Sequence, residues 1–376
     1  MTVYLDCNAT TPLEPEVRAI VLRYLDDEYG NAGSRTHEFG ARAQQAVQRA
    51  RDQVAAVVDA KRDEVIFTSG ATEANNLAIL GLAPFGERSG RRHIITSAIE
   101  HKAVLEPVEV LRTRGFDVSI VPVTSGGSVD PADVRRALRG DTLLVSIMHA
   151  NNETGVLQPI AEIAAELAEH EAFFHVDAAQ GFGKDLQALR SPRIDLLSAS
   201  GHKIYAPKGI GALIARRRRY ERPPLEPLMY GGGQERGLRP GTAPVHLIAG
   251  FGAASELARR NNDARAQAAL AMRSAALRAL QSLDPVIIGD QARVLPHVLS
   301  ITLPGRDSEA VMLALKDIAA ISNGSACTSH EYRPSHVLRA MGLSEDSARR
   351  SLRISWSHLT DDVDWEAIVQ AIERVR

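Results

Sequence analysis

The stretch EVIFTSGATEANN, residues 64–76, runs from a short apolar segment through Ser69-Gly70-Ala71-Thr72 into a helical pattern that opens at Glu73. A β-branched and aromatic run, a glycine turn and a helix start make one strand–turn–helix unit. The same alternation recurs outward in both directions. It predicts strands at 64–68, 93–96, 117–122, 142–148, 173–177, 196–200 and 211–215, with helices at 36–58, 73–82, 102–113, 131–139 and 160–169. Helices of this length serve as crossover connections, so the pattern predicts an α/β fold built on a mostly parallel sheet of about seven strands.

The pattern changes after about residue 245, where an Ala/Arg-rich stretch at 247–283 reads as one or two long helices. Beyond it, alternating segments at 298–303 and 351–356, with helices near 308–316, 333–341 and 365–375, predict a smaller α+β domain. The expected division is a large α/β domain over 13–250 and a small domain made of 1–12 and 251–376.

The whole chain has 376 residues, 44% of them hydrophobic and 24% charged, which is enough to bury a core without disulfide or metal staples. A net charge of −2 advertises no nucleic acid or membrane partner. Cys7 and Cys327 are the two cysteines, far apart, so no disulfide framework is expected and a reducing cytoplasm fits. No basic-then-apolar leader opens the chain, and no apolar run reaches the roughly 18 residues of a membrane span. Arg216, Arg217, Arg218 and Arg219 read as a solvated turn after a strand rather than a binding patch.

Several residues at predicted strand ends carry chemistry. The turn before Glu73 offers unpaired N–H groups and the positive end of a helix, with the Thr72 hydroxyl as a further donor, which suits a phosphate; the same residues also make a good helix cap. FFHVDAAQGFGK, residues 173–184, places Asp177 where an apolar strand ends, the place where ligands gather in open parallel sheets. A carboxylate there is either structural or the partner of a protonated ring nitrogen. The next strand leads into Ser200-Gly201-His202-Lys203, whose lysine is either a surface amine or a Schiff-base nucleophile. A phosphate cradle, an acid for a ring nitrogen and an amine for an aldehyde together match pyridoxal 5'-phosphate. Asn152, in the Asn151-to-Gly155 turn, and His101, after Glu100, follow two further strands, as an amide for a phenolic oxygen and an imidazole for stacking and proton movement.

These motifs, in this order, resemble the class V aminotransferase superfamily, and within it the cysteine desulfurases of the NifS and IscS type. The resemblance spans nearly the whole chain, from Tyr4-Leu-Asp-Cys-Asn-Ala-Thr-Thr-Pro12 through Gly231 to Thr242 and Asn323 to Ser329, ending at Ser351 to Ser355. It implies the fold type I of pyridoxal phosphate enzymes, with Lys203 as the Schiff-base lysine, Asp177 at the pyridine nitrogen, and Asn152 and Gln180 near the phenolic oxygen. Thr72, Ser200 and His202 become phosphate contacts, Ala71 a further cofactor-binding residue, and His101 the ring-stacking base. Thr242, in Arg239-Pro240-Gly241-Thr242, is implied to reach the phosphate of a partner subunit, hence a homodimer. Arg353 is implied to hold the substrate carboxylate through a bidentate pair, with Asn152 beside it. Cys327, in a polar small-residue stretch, is the implied thiol that takes sulfur from L-cysteine and passes it to an acceptor protein.

No metal is expected. Cys7 is expected to pack, and the short stretch after Cys327 puts the usual iron–sulfur scaffold in doubt, leaving tRNA thiolation and DNA phosphorothioation as other destinations. The competing readings are a class V aminotransferase, a cysteine or selenocysteine lyase that spares its own thiol, and a non-catalytic scaffold of a sulfur-transfer complex. Cys327 separates the first two from a desulfurase.

Overall fold

The computed structural model describes residues 2–323 and 335–375. Its strands are β1 (Val3–Tyr4), β2 (Val65–Thr68), β3 (His93–Ser97), β4 (Asp117–Val121), β5 (Thr142–Ser146), β6 (Phe173–Asp177), β7 (Leu196–Ser200), β8 (Gly211–Ala215), β9 (Val286–Ile287), β10 (Val298–Thr302), β11 (Ala319–Ala320) and β12 (Ser351–Ser355). Seven of them form one sheet in the order β2-β8-β7-β6-β5-β3-β4. All pairings in it are parallel except those of β8, which runs antiparallel to both β2 and β7. The expected mostly parallel seven-stranded α/β sheet is therefore present.

Strand residues alternate between two apolar cores. Phe67, Ile95, Val145, Val176 and Leu197 face one, and Ile66, Ile94, Leu144, Leu196 and Leu213 face the other. Both faces are covered, so these strands read as continuous apolar runs and are buried throughout. Only the edge strand β4 leaves Asp117 and Ile120 exposed. The 247–283 stretch is two helices, Val245–Arg260 and Asn262–Leu280. The first packs on helix Glu38–Val57 so closely that a Cβ at Gly252 would stand 2.5 Å from the Ala50 Cα.

A second, antiparallel sheet of order β12-β10-β9 lies against helix Asn262–Leu280 and helix Trp365–Glu373, around a core that holds Leu299, Ile301, Leu352 and fully buried Trp356. The Trp356 indole N–H donates to the Ala269 carbonyl at 3.0 Å. The N-terminal residues run beside this sheet: β1 pairs parallel with β11, and the Cys7 N–H donates to the Ser355 carbonyl at 3.1 Å. Cys7 is 1% exposed, as packing requires.

The arginine run only partly fits the solvated turn expected of it: Arg217 and Arg219 are exposed and the chain turns between Arg218 and Glu221, but the first arginine is not solvated. Arg216 is buried and donates to the carbonyls of Ser191, Val58 and Leu189, while Arg218 holds the Asp195 carboxylate and lies over the Phe173 ring. Arg217 pairs with Asp63. Charge at a strand end is here used to satisfy backbone carbonyls inside the protein.

Candidate active site

The carboxyl ends of β2, β3, β5, β6 and β7 point to one edge of the large sheet, and each delivers a polar group there. After β2 the chain turns at Gly70, whose φ of 157° and ψ of −178° belong to a region open to glycine alone. Helix Ala71–Ser89 starts at once, so the N–H groups of its first turn have no intrahelical acceptor. The Glu73 carboxylate accepts the Ser69 N–H at 2.7 Å and pairs with Arg239 at 3.0 Å, which fixes the turn without covering the helix end. Ser200 lies opposite, its Oγ 3.9 Å from where a Cβ on Gly70 would be.

At the end of β6, Asp177 is 4% exposed. Its Oδ2 accepts Asn75 Nδ2 at 2.7 Å and its Oδ1 accepts the Ala179 N–H at 2.9 Å. Two residues below, His175 bridges Ser146 and Ser198 at 2.8 and 3.0 Å, and burial pushes its pKa down to about 4, so it stays neutral. At the end of β7, the Lys203 ammonium donates to the carbonyls of Asn8 and, at 2.9 Å, of Ala9. His202 Nδ1 meets Thr10 Oγ1 at 3.1 Å; burial, with Lys203, Lys208 and Lys184 nearby, pushes its pKa down to about 4.

After β3, His101 caps helix Lys102–Thr113, its Nδ1 accepting the Ala103 N–H at 3.1 Å, which leaves the proton of the neutral ring on Nε2. Glu100, fully buried, accepts from Ser97 Oγ and the Met148 N–H, and burial pushes its pKa up to about 8. After β5, Asn151 Oδ1 accepts the N–H groups of Glu153 and Thr154, and this tight turn sets Asn152. Arg353, on β12, is 3% exposed and held by the Asn152 carbonyl and Asp6 Oδ1, each at 2.7 Å.

These side chains converge on a cavity of roughly 440 Å³, within the usual range for small-molecule sites. Ala71, Thr72, Ser200 and His202 line it, as do Asp177, Gln180 and Lys203, and so do His101, Asn152 and Arg353. Thr242 does not line this cavity and is exposed in a separate surface depression with Tyr24, Leu25 and Tyr29. Cys327 lies outside the described residues. Both flanks of that interval are tied to the cavity: Ser322 pairs with Arg353 backbone to backbone, and Ser335 Oγ donates to Glu153. Among the described residues no cluster of His, Cys, Asp or Glu is arranged to hold a metal ion.

Two asparagines that line the cavity, Asn75 and Asn8, have no sequence-predicted role. Asn75 carried a signal, a polar residue on a helix face otherwise made of Ala74, Leu77 and Ala78. Asn8 is 1% exposed, and its carbonyl accepts both Lys203 and Gln180 Nε2. Asn8 carries no signal in local pattern.

A buried carboxylate fixed from one side, an amine, a set of free N–H groups and a guanidinium around one cavity define an enzyme site for a zwitterionic or anionic small molecule. The family model for aminotransferase class V matches residues 3–366, and the chain belongs to that family. It is 45% identical to cysteine desulfurase IscS of Anaeromyxobacter sp. (strain Fw109-5) over 100% of this chain and 92% of that protein. Among solved structures it is similar to DndA from Streptomyces lividans (54% identity, TM-score 0.83, 93% of this chain and 98% of that one). A NifS-like protein superposes with a TM-score of 0.91 at 35% identity, over 99% of this chain and 98% of the other.

Proposed function

We propose that the chain is a cysteine desulfurase that converts L-cysteine to L-alanine and carries the sulfur as a persulfide on Cys327. The observation that carries this reading is the convergence of Lys203, Asp177, Gln180, His101 and Arg353 on one cavity, in a chain whose full-length relative at 45% identity is named a cysteine desulfurase.

The residues present fit pyridoxal 5'-phosphate. Gln180 Oε1 and Asn75 Oδ1 are buried without a protein partner, and the helix end at Ala71 is open. Lys203 is the amine that would hold the aldehyde, Asp177 the acid for the ring nitrogen, and Asn152 and Gln180 the amides near the phenolic oxygen. Ala71, Thr72, Ser200 and His202 surround the place for the phosphate. When bound, the cofactor supplies an electron sink that acidifies the α-carbon of the amino acid joined to it.

The chain's own groups do the rest. Arg353 orients the substrate carboxylate, its planar fork already aimed by Asp6 and the Asn152 carbonyl. Lys203, once released, takes the α-proton, and His101, protonated on Nε2, returns a proton as the product forms. The Cys327 thiolate attacks the substrate sulfur: an S–S bond forms, the substrate C–S bond breaks, and the carbon fragment collects protons as alanine. Sulfur moves without an external oxidant. Cys327 is five residues along the sequence from Ser322, whose backbone pairs with Arg353.

The same reading includes a homodimer with Thr242 reaching the partner's phosphate, an acceptor protein for the persulfide, a cytoplasmic setting, and the division into 13–250 and 1–12 with 251–376. No helix of the described residues is long and apolar enough to cross a membrane.

The test incubates purified protein with L-cysteine and measures alanine and protein-bound persulfide. Wild type should form both; Lys203→Ala should form neither, and Cys327→Ser should lose the persulfide and at least about a hundredfold in rate, the scale of a deleted nucleophile. Undiminished alanine formation by Cys327→Ser would favour a lyase that spares its own thiol.

A further inference from the structure

The cavity around Lys203 holds a cation that none of the roles above uses. Among the described residues, the Lys and Arg side chains that line it are Lys203, Lys208 and Arg353. Arg353 is held by Asp6 Oδ1 at 2.7 Å and is the group for the substrate carboxylate. Lys203 is the amine for the aldehyde. Lys208 is exposed where it lines the cavity, and it forms no hydrogen bond or ion pair with the described residues.

The backbone fixes where this lysine stands. Pro207 restricts φ before it, and Gly209 after it has a φ of 85°, in the left-handed region that suits glycine. The Gly201 N–H donates to the Ile210 carbonyl at 2.9 Å, and the Ala206 N–H donates to the Gly201 carbonyl at 3.1 Å. A Cβ at Gly201 would stand 3.2 Å from the Pro207 carbonyl oxygen, so the 206–210 turn is folded back on Gly201, beside His202. The next residue, Gly211, opens β8, and a Cβ there would stand 2.6 Å from the Gly70 Cα. The backbone of Lys208 thus joins two walls of the phosphate cradle, the His202 turn and the Gly70 turn.

Charge shows what that cradle lacks. A phosphate monoester carries about −1.5 to −2 charges near pH 7. The donors placed for it are neutral: the free N–H groups at the start of helix Ala71–Ser89, the Thr72 and Ser200 hydroxyls, and the His202 ring. Burial first, then Lys203 and Lys208, push the His202 pKa down to about 4. The open helix end contributes only about half a positive charge, and Asp177 adds a carboxylate to the same cavity. Without Lys208, the place for a dianion has no full positive charge of its own. Asn75 Oδ1 and Gln180 Oε1, buried without a partner on the same cavity, mark it independently as a place for a ligand.

We propose that Lys208 is a phosphate-binding residue: an unpaired ammonium, fixed by the turn between His202 and Gly211, that meets the phosphoryl oxygens as a point charge and gives the site its preference for the phosphorylated form of the cofactor. The proposal rests on the pyridoxal phosphate reading above and adds a residue to it.

The test uses the cofactor-stripped full chain and two probes, pyridoxamine 5'-phosphate and pyridoxamine, which differ only in the phosphate and lack the aldehyde that would bond to Lys203. Equilibrium binding is read from probe fluorescence. Lys208→Gln should weaken the phosphorylated probe about tenfold and leave pyridoxamine unchanged, while Lys208→Arg should keep most of the wild-type affinity. The gap should narrow as salt rises from about 0.02 to about 0.5 M, because exposed charges are screened. Equal weakening of both probes would make Lys208 a residue that only shapes the cavity, and would overturn the proposal. Unchanged affinities with a raised KM for L-cysteine would overturn it too, and would assign the ammonium to the substrate carboxylate. A wild-type chain with no preference for the phosphorylated probe would overturn the cofactor reading together with this proposal; a preference that survives Lys208→Gln in full overturns the proposal alone.

Discussion

Glu100 shows how a single buried acid shapes the site. It precedes His101, has no access to water, and its Oε2 finds no partner, the arrangement of a carboxylic acid rather than a carboxylate. In the unfolded chain the same group ionises near the ordinary glutamate value of 4.5 and in the folded chain at about 8. Between these values the folded state binds a proton that the unfolded state has released, so this residue's contribution to stability falls as pH rises. The slope is about 1.4 kcal/mol per pH unit for a full proton. Glu100→Gln keeps the shape and removes the titration. Urea unfolding at pH about 5 and about 8 should therefore show the variant gaining on wild type at the higher pH; a pH-independent difference would mean that Glu100 is already ionised. His175 works in the opposite direction: its depressed pKa makes the neutral folded form lose stability as pH falls from 6.5 towards about 4.

Among the elements, the antiparallel strand β8 packs directly against the turn at Gly70. Gly211 pairs with Thr68 on one side and Ser200 on the other, and a Cβ there would meet the Ala199 carbonyl oxygen at 2.5 Å and the Gly70 Cα at 2.6 Å. Both obstacles are backbone, so the strand or the turn must move. Gly211→Val should displace the open end of helix Ala71–Ser89 relative to Ser200 and weaken binding of pyridoxal 5'-phosphate at least about tenfold in an equilibrium titration, while far-ultraviolet circular dichroism stays native. Native affinity in that variant would show that the close approach does not set the anion cradle.

Across the molecule, the position of Thr242 makes the strongest statement. It lines an exposed depression beside Tyr24 and Tyr29 and is not among the residues of its own chain that line the cavity around Lys203. The dimer reading predicts complementation. Mixing Lys203→Ala chains with Thr242→Ala chains under exchange conditions should give hybrid dimers with one cavity that has Lys203 and a partner's Thr242, and activity above that of either parent. Parents that sediment as monomers, or mixtures that never exceed the better parent, would remove Thr242 from the site.

Much of this protein is legible along the chain. The strands of the large sheet show in short apolar runs because, edge strand β4 apart, both faces are covered, and Asp177, Lys203, Asn152 and His101 show because they end or follow those runs. Local pattern contains nothing about β8 running backwards, because an antiparallel strand buried on both faces has the same composition as a parallel one. Nor does it reveal the buried arginine at position 216, or the chain of contacts from Lys184 through His297 to Asn8, which joins residues more than a hundred positions apart. Periodicity records how one segment meets a core; which distant polar groups share a single ring nitrogen depends on how separate segments are packed together, and that is set by the folded chain as a whole.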